Sequence, residues 1–227
     1  RLSERDISYL DPLEIATLID FRSSAERDSE PTLWEGRGAE IFSRDYASVN
    51  AEEGTQSLFS ALLSGDATPE SMTRAMADSY YQMAIDQRDS YRVLFDRLIH
   101  YDSPLLFNCS AGKDRTGIAA ALILEALDVP RETLVDDYAL SDNYVDFLQP
   151  FVEDSSDVGS GQSENPYAFL AQLPPELLMP LMASSPLYIE TALQDIEENY
   201  GSVLNYIREE LEVSDAELSQ LRSRLLE

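Results

Sequence analysis

Apolar positions along the chain alternate between short dense runs and helix-spaced stripes. Residues 16–21, Ala-Thr-Leu-Ile-Asp-Phe, form a short apolar, β-branched run that predicts a strand ending in the polar loop Arg22-Ser23-Ser24. Residues 40–46 predict a second short strand. Leu105-Leu106-Phe107, directly after Pro104, predicts a third that is buried. Helices are expected over 3–10, with Ser3 as N-cap, and over 57–63. After a break at 65–69, a long helix is expected over 70–99. There Met72, Met76, Tyr80, Met83, Tyr91, Leu94, Phe95 and Leu98 make a core-facing stripe. A polar, glycine-containing loop at 108–115 leads into a helix over 116–127, which stops before Pro130.

Beyond that point the pattern is helical. Residues 131–147 read as a helix, and 153–166 as an acidic, Ser/Gly-rich mobile loop. Pro174, Pro175 and Pro180 predict short interrupted helices within 167–183. A helix over 191–211 breaks at Gly201, and Ser214-Asp215-Ala216-Glu217 is a capping-box pattern opening the last helix. No internal repeat is visible.

With 227 residues and 44% hydrophobic content, the chain can bury a substantial core, and residues 1–227 are expected to form a single domain. The longest strongly apolar run, 118–124, falls short of the ~20 residues that span a bilayer. No basic segment followed by an apolar one opens the chain. Because the sequence starts at Arg1, loss of a leader or of a first strand stays open. The 43 Asp+Glu against 16 Lys+Arg give a net charge of −27. Such a surface favours solubility and disfavours nucleic-acid backbones and anionic membranes as partners. Attraction of a cationic partner is the functional alternative.

One cysteine, Cys109, and one histidine, His100, exclude an internal disulfide and a His/Cys zinc cage. Carboxylate-only magnesium or calcium sites stay open, although no calcium-loop pattern is present. A cytoplasmic location fits the lack of disulfides, with secretion as the alternative.

The chemistry concentrates in Asn108-Cys109-Ser110-Ala111-Gly112-Lys113-Asp114-Arg115-Thr116-Gly117, which holds the only cysteine and the only lysine, four positions apart. A loop between a buried strand and a helix start aims backbone N–H groups and the positive end of the helix dipole at an anion. That field favours the thiolate of a cysteine at the loop base. Arg115 offers a planar fork for two phosphate oxygens, and the Thr116 hydroxyl can donate to the thiolate. The loop therefore supplies a nucleophile, an oxyanion cradle and a clamp. A nucleotide-binding P-loop does not fit, because Phe107 stands where its first glycine belongs and Asp114 follows the lysine. An inert buried cysteine beside a helix cap is the bland alternative.

Cys109 to Arg115 matches the C-x5-R signature of cysteine-dependent tyrosine and dual-specificity phosphatases. The longer string Cys-Ser-Ala-Gly-Lys-Asp-Arg-Thr-Gly resembles the atypical bacterial and fungal tyrosine phosphatases, a group that includes a secreted mycobacterial enzyme and a Listeria lipid phosphatase. Ile19-Asp20-Phe21-Arg22-Ser23 with Glu26-Arg27, Val129-Pro130-Arg131-Glu132-Thr133 with Asp137-Tyr138, and Tyr200-Gly201-Ser202-Val203 with Tyr206-Ile207 are similar to further segments of that family.

The resemblance implies an α/β fold with a central, mainly parallel sheet of four to five strands flanked by helices, and a helix-rich C-terminal half. It implies phosphomonoester hydrolysis without metal or cofactor. Cys109 attacks phosphorus, Arg115 binds the equatorial oxygens, and a carboxylic acid protonates the leaving oxygen. Asp114 is the first choice for that acid and Asp20 the second. Ser110, Ala111, Gly112, Lys113, Asp114, Arg115, Thr116 and Arg22 are the expected phosphate-binding residues. For Asp20 and Arg22, an ion pair tying the strand end to the loop is an equal alternative. Lys113 is similar to a lysine of phosphatases that act on phosphoinositides, with a solvated loop lysine as its bland reading.

The family's usual histidine before the cysteine is replaced by Asn108, which can still donate through its amide but carries no charge. His100 reads as a helix-end residue. Residues 151–186 lie where relatives carry helical lids, and a structural extension is the equal alternative. Expected substrates are phosphotyrosine, phosphoserine or phosphothreonine proteins, or phosphoinositides and inositol phosphates. The acidic surface weakly favours the soluble ones. A phosphate-binding module of the same fold with little catalysis is the competing function.

Overall fold

Strand β1 (Thr17–Asp20) is the middle of a parallel sheet, with β2 (Glu40–Ser43) on one side and β3 (Leu105–Asn108) on the other. The computed structural model describes residues 3–32, 34, 38–46, 67–145 and 173–226. All four residues of β1 are buried, as its apolar run predicts, because a central parallel strand is covered on both faces. Among the described residues the sheet has three strands, not the expected four to five. After Asn108 every described element is a helix, since no further β-branched run competes with the helix-spaced stripes.

The helices are α1 (Glu4–Leu10), α2 (Ser24–Ser29), α3 (Pro69–Asp86), α4 (Arg88–His100), α5 (Asp114–Ala126), α6 (Arg131–Ala139), α7 (Ser141–Tyr144), α8 (Pro175–Met182), α9 (Pro186–Tyr200), α10 (Val203–Glu209) and α11 (Asp215–Leu225). Capping boxes form at Ser3, Ser23, Thr68 and Ser214. The single helix expected over 70–99 divides at Gln87, whose φ of −89° and ψ of 0° depart from regular helical values. Gln87 is fully buried and its side chain turns inward to donate to the Tyr46 hydroxyl at 2.8 Å. The helix expected from 191 begins at Pro186. It ends where predicted, because Gly201 takes the left-handed φ of +79° that closes a helix without steric cost. The helix expected over 57–63 and the loop over 153–166 lie outside the described residues, as does most of the expected lid at 151–186. Its described end holds α8.

One large core joins the sheet to α3–α6 and α9–α11, with Phe21, Phe95, Ile118, Leu122 and Ile189 fully buried. Buried phenols keep hydrogen-bond partners, as burial of a polar group requires. Tyr91 donates to the Arg115 carbonyl at 2.8 Å, Tyr188 to the Pro180 carbonyl at 2.7 Å, and Tyr206 to the Ala84 carbonyl at 2.8 Å. No helix among the described residues is long and apolar enough to cross a membrane.

Candidate active site

The pairing register places Asp20 of β1 beside Asn108 of β3. The Phe21 amide continues that pairing by donating to the Asn108 carbonyl at 2.8 Å. Both chains therefore leave the sheet at one level, and their loops run side by side at the C-terminal ends of parallel strands. The first loop enters α2 through Ser23. The second carries Cys109 and turns into α5. Gly112 has a φ of +71°, where an L side chain is strained.

Cys109 sits at the end of β3, 6% exposed. Arg115, in the first turn of α5, points back beneath the loop. Its two terminal nitrogens meet the two carboxylate oxygens of Glu26 at 2.8 and 2.7 Å. One of them also donates to the Phe21 carbonyl and the Tyr46 hydroxyl, both at 3.1 Å. Glu26 is fixed in turn. It accepts from the Ser23 amide at 2.8 Å and from the Ser110 hydroxyl. Tyr46 donates to the Phe21 carbonyl.

This arrangement sets the charges. Burial alone would neutralise Glu26, but the Arg115 fork and the Ser110 and Ser23 hydrogen bonds outweigh it and hold its pKa at about 2. Burial works against the Arg115 cation too, yet Glu26 and the charge of Cys109 raise its pKa well above the ordinary value. The clamp is therefore charged at any working pH, oriented before ligand arrives, and placed beside the only thiol.

Asp114 opens α5 with its side chain partly exposed. Its Oδ1 accepts from the Tyr80 hydroxyl, whose oxygen lies 2.5 Å from that of Tyr138. Lys113 is 3% exposed, contrary to a solvated loop lysine. Its ammonium donates to the carbonyls of Leu181 at 2.7 Å and Ala183 at 3.0 Å, around the C-terminal end of α8, and lies 3.4 Å from Asp114 Oδ1. Carbonyls at a helix end attract a cation. The Thr116 hydroxyl is buried with no hydrogen-bond partner among the described residues, so its expected bond to Cys109 is not formed here. Asn108 donates to the Cys109 carbonyl at 3.2 Å, a contact within the loop that its amide makes without charge.

Asp20 and Arg22 take the tethering alternative. Arg22 Nε and Nη2 donate to the Asp20 carboxylate at 2.9 and 2.7 Å. The rest of the fork reaches the Glu30 carbonyl at 2.7 Å and the Thr32 hydroxyl at 2.6 Å. Both residues are buried. Their charges are spent on each other and on the chain after α2, whereas Asp114 and Arg115 flank the cysteine loop. His100 ends α4 beside Asp96 and Glu217, as a helix-end residue.

Sequence reasoning gave no site role to five residues: Glu26 and Tyr138, named only within segments similar to the family, Tyr80, named only in the core stripe, and Tyr46 and Gln87. The Ser23-x-x-Glu26 pattern signals a capping box, and that signal locates Glu26 at a helix start without revealing its hold on Arg115. Tyr80 stands in the helical stripe, where its hydroxyl leaves no mark on the periodicity. Among the described residues no group of three His, Cys, Asp or Glu side chains could hold a metal ion.

Known proteins are similar to this sequence over most or all of its length. A protein of Cupriavidus necator, provisionally named a tyrosine-protein phosphatase, is 28% identical over 95% of this chain and 72% of its own. A Nostoc commune protein named tyrosine-protein phosphatase is 29% identical over 72% of this chain and 53% of its own. The triple specificity protein phosphatase PtpB of Mycobacterium tuberculosis is 28% identical over 100% of this chain and 87% of its own. The model of the tyrosine phosphatase family matches residues 1–227, so the chain that holds Cys109 above the Glu26–Arg115 pair belongs to the tyrosine phosphatase family.

Proposed function

We propose that the protein hydrolyses phosphomonoesters through a phosphocysteine, with phosphotyrosine as the first substrate class and phosphoserine, phosphothreonine or phosphoinositides as further ones. Residues 1–227 act as one phosphatase domain in this reading. The single observation that carries it is the pre-oriented Arg115 fork, held by Glu26 beneath the loop of the only cysteine. The names of the relatives support the same class.

The Cys109 thiolate attacks phosphorus in line, forming the S–P bond as the ester P–O bond breaks. Asp114 gives its proton to the departing oxygen. Arg115 and the amides of 110–115 hold the equatorial oxygens. A water then attacks the phosphocysteine, Asp114 takes its proton, and phosphate leaves with the thiolate restored. Neither step draws on a metal, because the cation and amides already present neutralise the phosphate. A weakly catalytic phosphate-binding module is the second reading. Asn108 and the unpartnered Thr116 hydroxyl favour it, since both reduce support for the thiolate.

Hydrolysis of 4-nitrophenyl phosphate, with and without EDTA and beside Cys109→Ser, separates the two. Turnover that survives EDTA and vanishes in the variant supports the phosphatase. Vanadate binding without turnover overturns it in favour of the binding module.

A further inference from the structure

A phenol has one proton to give, and that fixes the direction of a buried chain behind the loop. The Tyr80 hydroxyl donates to Asp114 Oδ1, and its oxygen lies 2.5 Å from the Tyr138 oxygen. Once the Tyr80 proton is on Asp114, Tyr138 must donate to Tyr80. The reverse order would leave the Tyr138 proton buried without an acceptor among the described residues, an uncompensated cost. The chain therefore runs Tyr138 to Tyr80 to Asp114.

Asp114 Oδ1 is thus occupied, by the Tyr80 hydroxyl and by the Lys113 ammonium at 3.4 Å. Oδ2 has no hydrogen-bond partner among the described residues, and the Asp114 side chain is 22% exposed. Tyr80 and Tyr138 keep their protons because burial pushes both phenols far above their ordinary range. We infer that Tyr80, backed by Tyr138, is a positioning residue that reserves Oδ1 of Asp114 as an acceptor and leaves Oδ2 as the oxygen that carries the transferable proton.

Two packing facts hold the chain in place. Tyr80 stacks edge-on against Tyr138, with ring centroids 6.2 Å apart. Tyr138 lies flat enough on α5 that a Cβ at Gly117 would come within 2.8 Å of its ring carbons. A glycine at 117 is what lets that ring reach Tyr80. The glycine that follows Thr116 in the loop sequence thereby serves the acid rather than the phosphate.

The inference rests on Asp114 being the general acid, and the test keeps the two apart. Steady-state kcat/KM is measured for a series of aryl phosphates from 4-nitrophenyl to phenyl phosphate, with wild type, Tyr80→Phe, Tyr138→Phe, Asp114→Asn and the Tyr80→Phe/Asp114→Asn double variant. A poorer leaving group needs its proton more, so a misplaced acid steepens the dependence on leaving-group pKa. General acid catalysis contributes about 10²–10⁴-fold, so Tyr80→Phe is expected to lose about tenfold on phenyl phosphate and less than about threefold on 4-nitrophenyl phosphate. Tyr138→Phe gives a smaller loss of the same shape, and the double variant is no steeper than Asp114→Asn alone. Equal losses across the series in both tyrosine variants, with Asp114→Asn steep, overturn the positioning role and leave Asp114 as the acid. A flat series in Asp114→Asn overturns both. Should Tyr80→Phe not fold, the slope in Tyr138→Phe decides alone.

Discussion

Glu26 and Arg115, 89 positions apart in sequence, meet side by side, each nitrogen of the fork on its own carboxylate oxygen at 2.8 and 2.7 Å. Breaking a buried pair by removing one partner leaves the other charge unpaired, which costs about 3–5 kcal/mol. Glu26→Ala is therefore expected to lose that much in urea unfolding, and to weaken inorganic phosphate binding because the fork is no longer oriented. Glu26→Gln, which keeps one acceptor, loses less.

The same pair sets a pH dependence. Glu26 has a folded pKa of about 2 against the ordinary 4.5, so its contribution is fully present above pH 4.5 and is lost as pH falls through 2. The difference corresponds to about 3 kcal/mol. Urea unfolding free energies measured at intervals across that window should fall with decreasing pH in wild type and fall less in Glu26→Gln.

Asp20 and Asp114 answer differently to loss of charge. Asp20 is locked to Arg22 and buried, so Asp20→Asn should lower stability by about 1–3 kcal/mol, the cost of an unsatisfied buried group, while leaving the leaving-group dependence of kcat/KM as in wild type. Asp114→Asn should steepen that dependence. The aryl phosphate series read on both variants tells the two carboxylates apart.

Lys113 ties the cysteine loop to α8 through the Leu181 and Ala183 carbonyls. Lys113→Met removes both bonds, and α8 should open more often, with amide exchange across Pro175–Met182 faster by about 5- to 150-fold for a loss of about 1–3 kcal/mol. Exchange in α5 beyond its first turn should stay as in wild type.

Gly117→Ala places a methyl against the Tyr138 ring. Overpacking of a dense interior costs about 1–3 kcal/mol, which thermal or urea unfolding would show directly.

The strands at 17–20 and 105–108, the loop and helix around the cysteine, the Ser3 N-cap and the capping box at Ser214 were legible because each is a local pattern. β-branched runs, glycine at a left-handed turn and Ser-x-x-Glu act within a few residues. The break at Gln87 was not, since a glutamine inside a helical stripe gives no sign that its amide will be drawn to Tyr46, 41 positions away. The Glu26 partnership with Arg115 was hidden for the same reason, because long-range pairing follows from strand register. Lys113 misled in its solvated reading. A charged residue in a polar loop suggests either solvent or ligand, and its nearest attraction was to the carbonyls around the end of another helix.

Lys113 is the only lysine in 227 residues, and the fold hides it. Reagents that acylate ε-amines thus find no exposed target among the side chains of the folded protein. Every ε-acylation records a moment when the ammonium has left Leu181 and Ala183, so the labelling rate times the parting of the cysteine loop from α8 with a tag at a single atom.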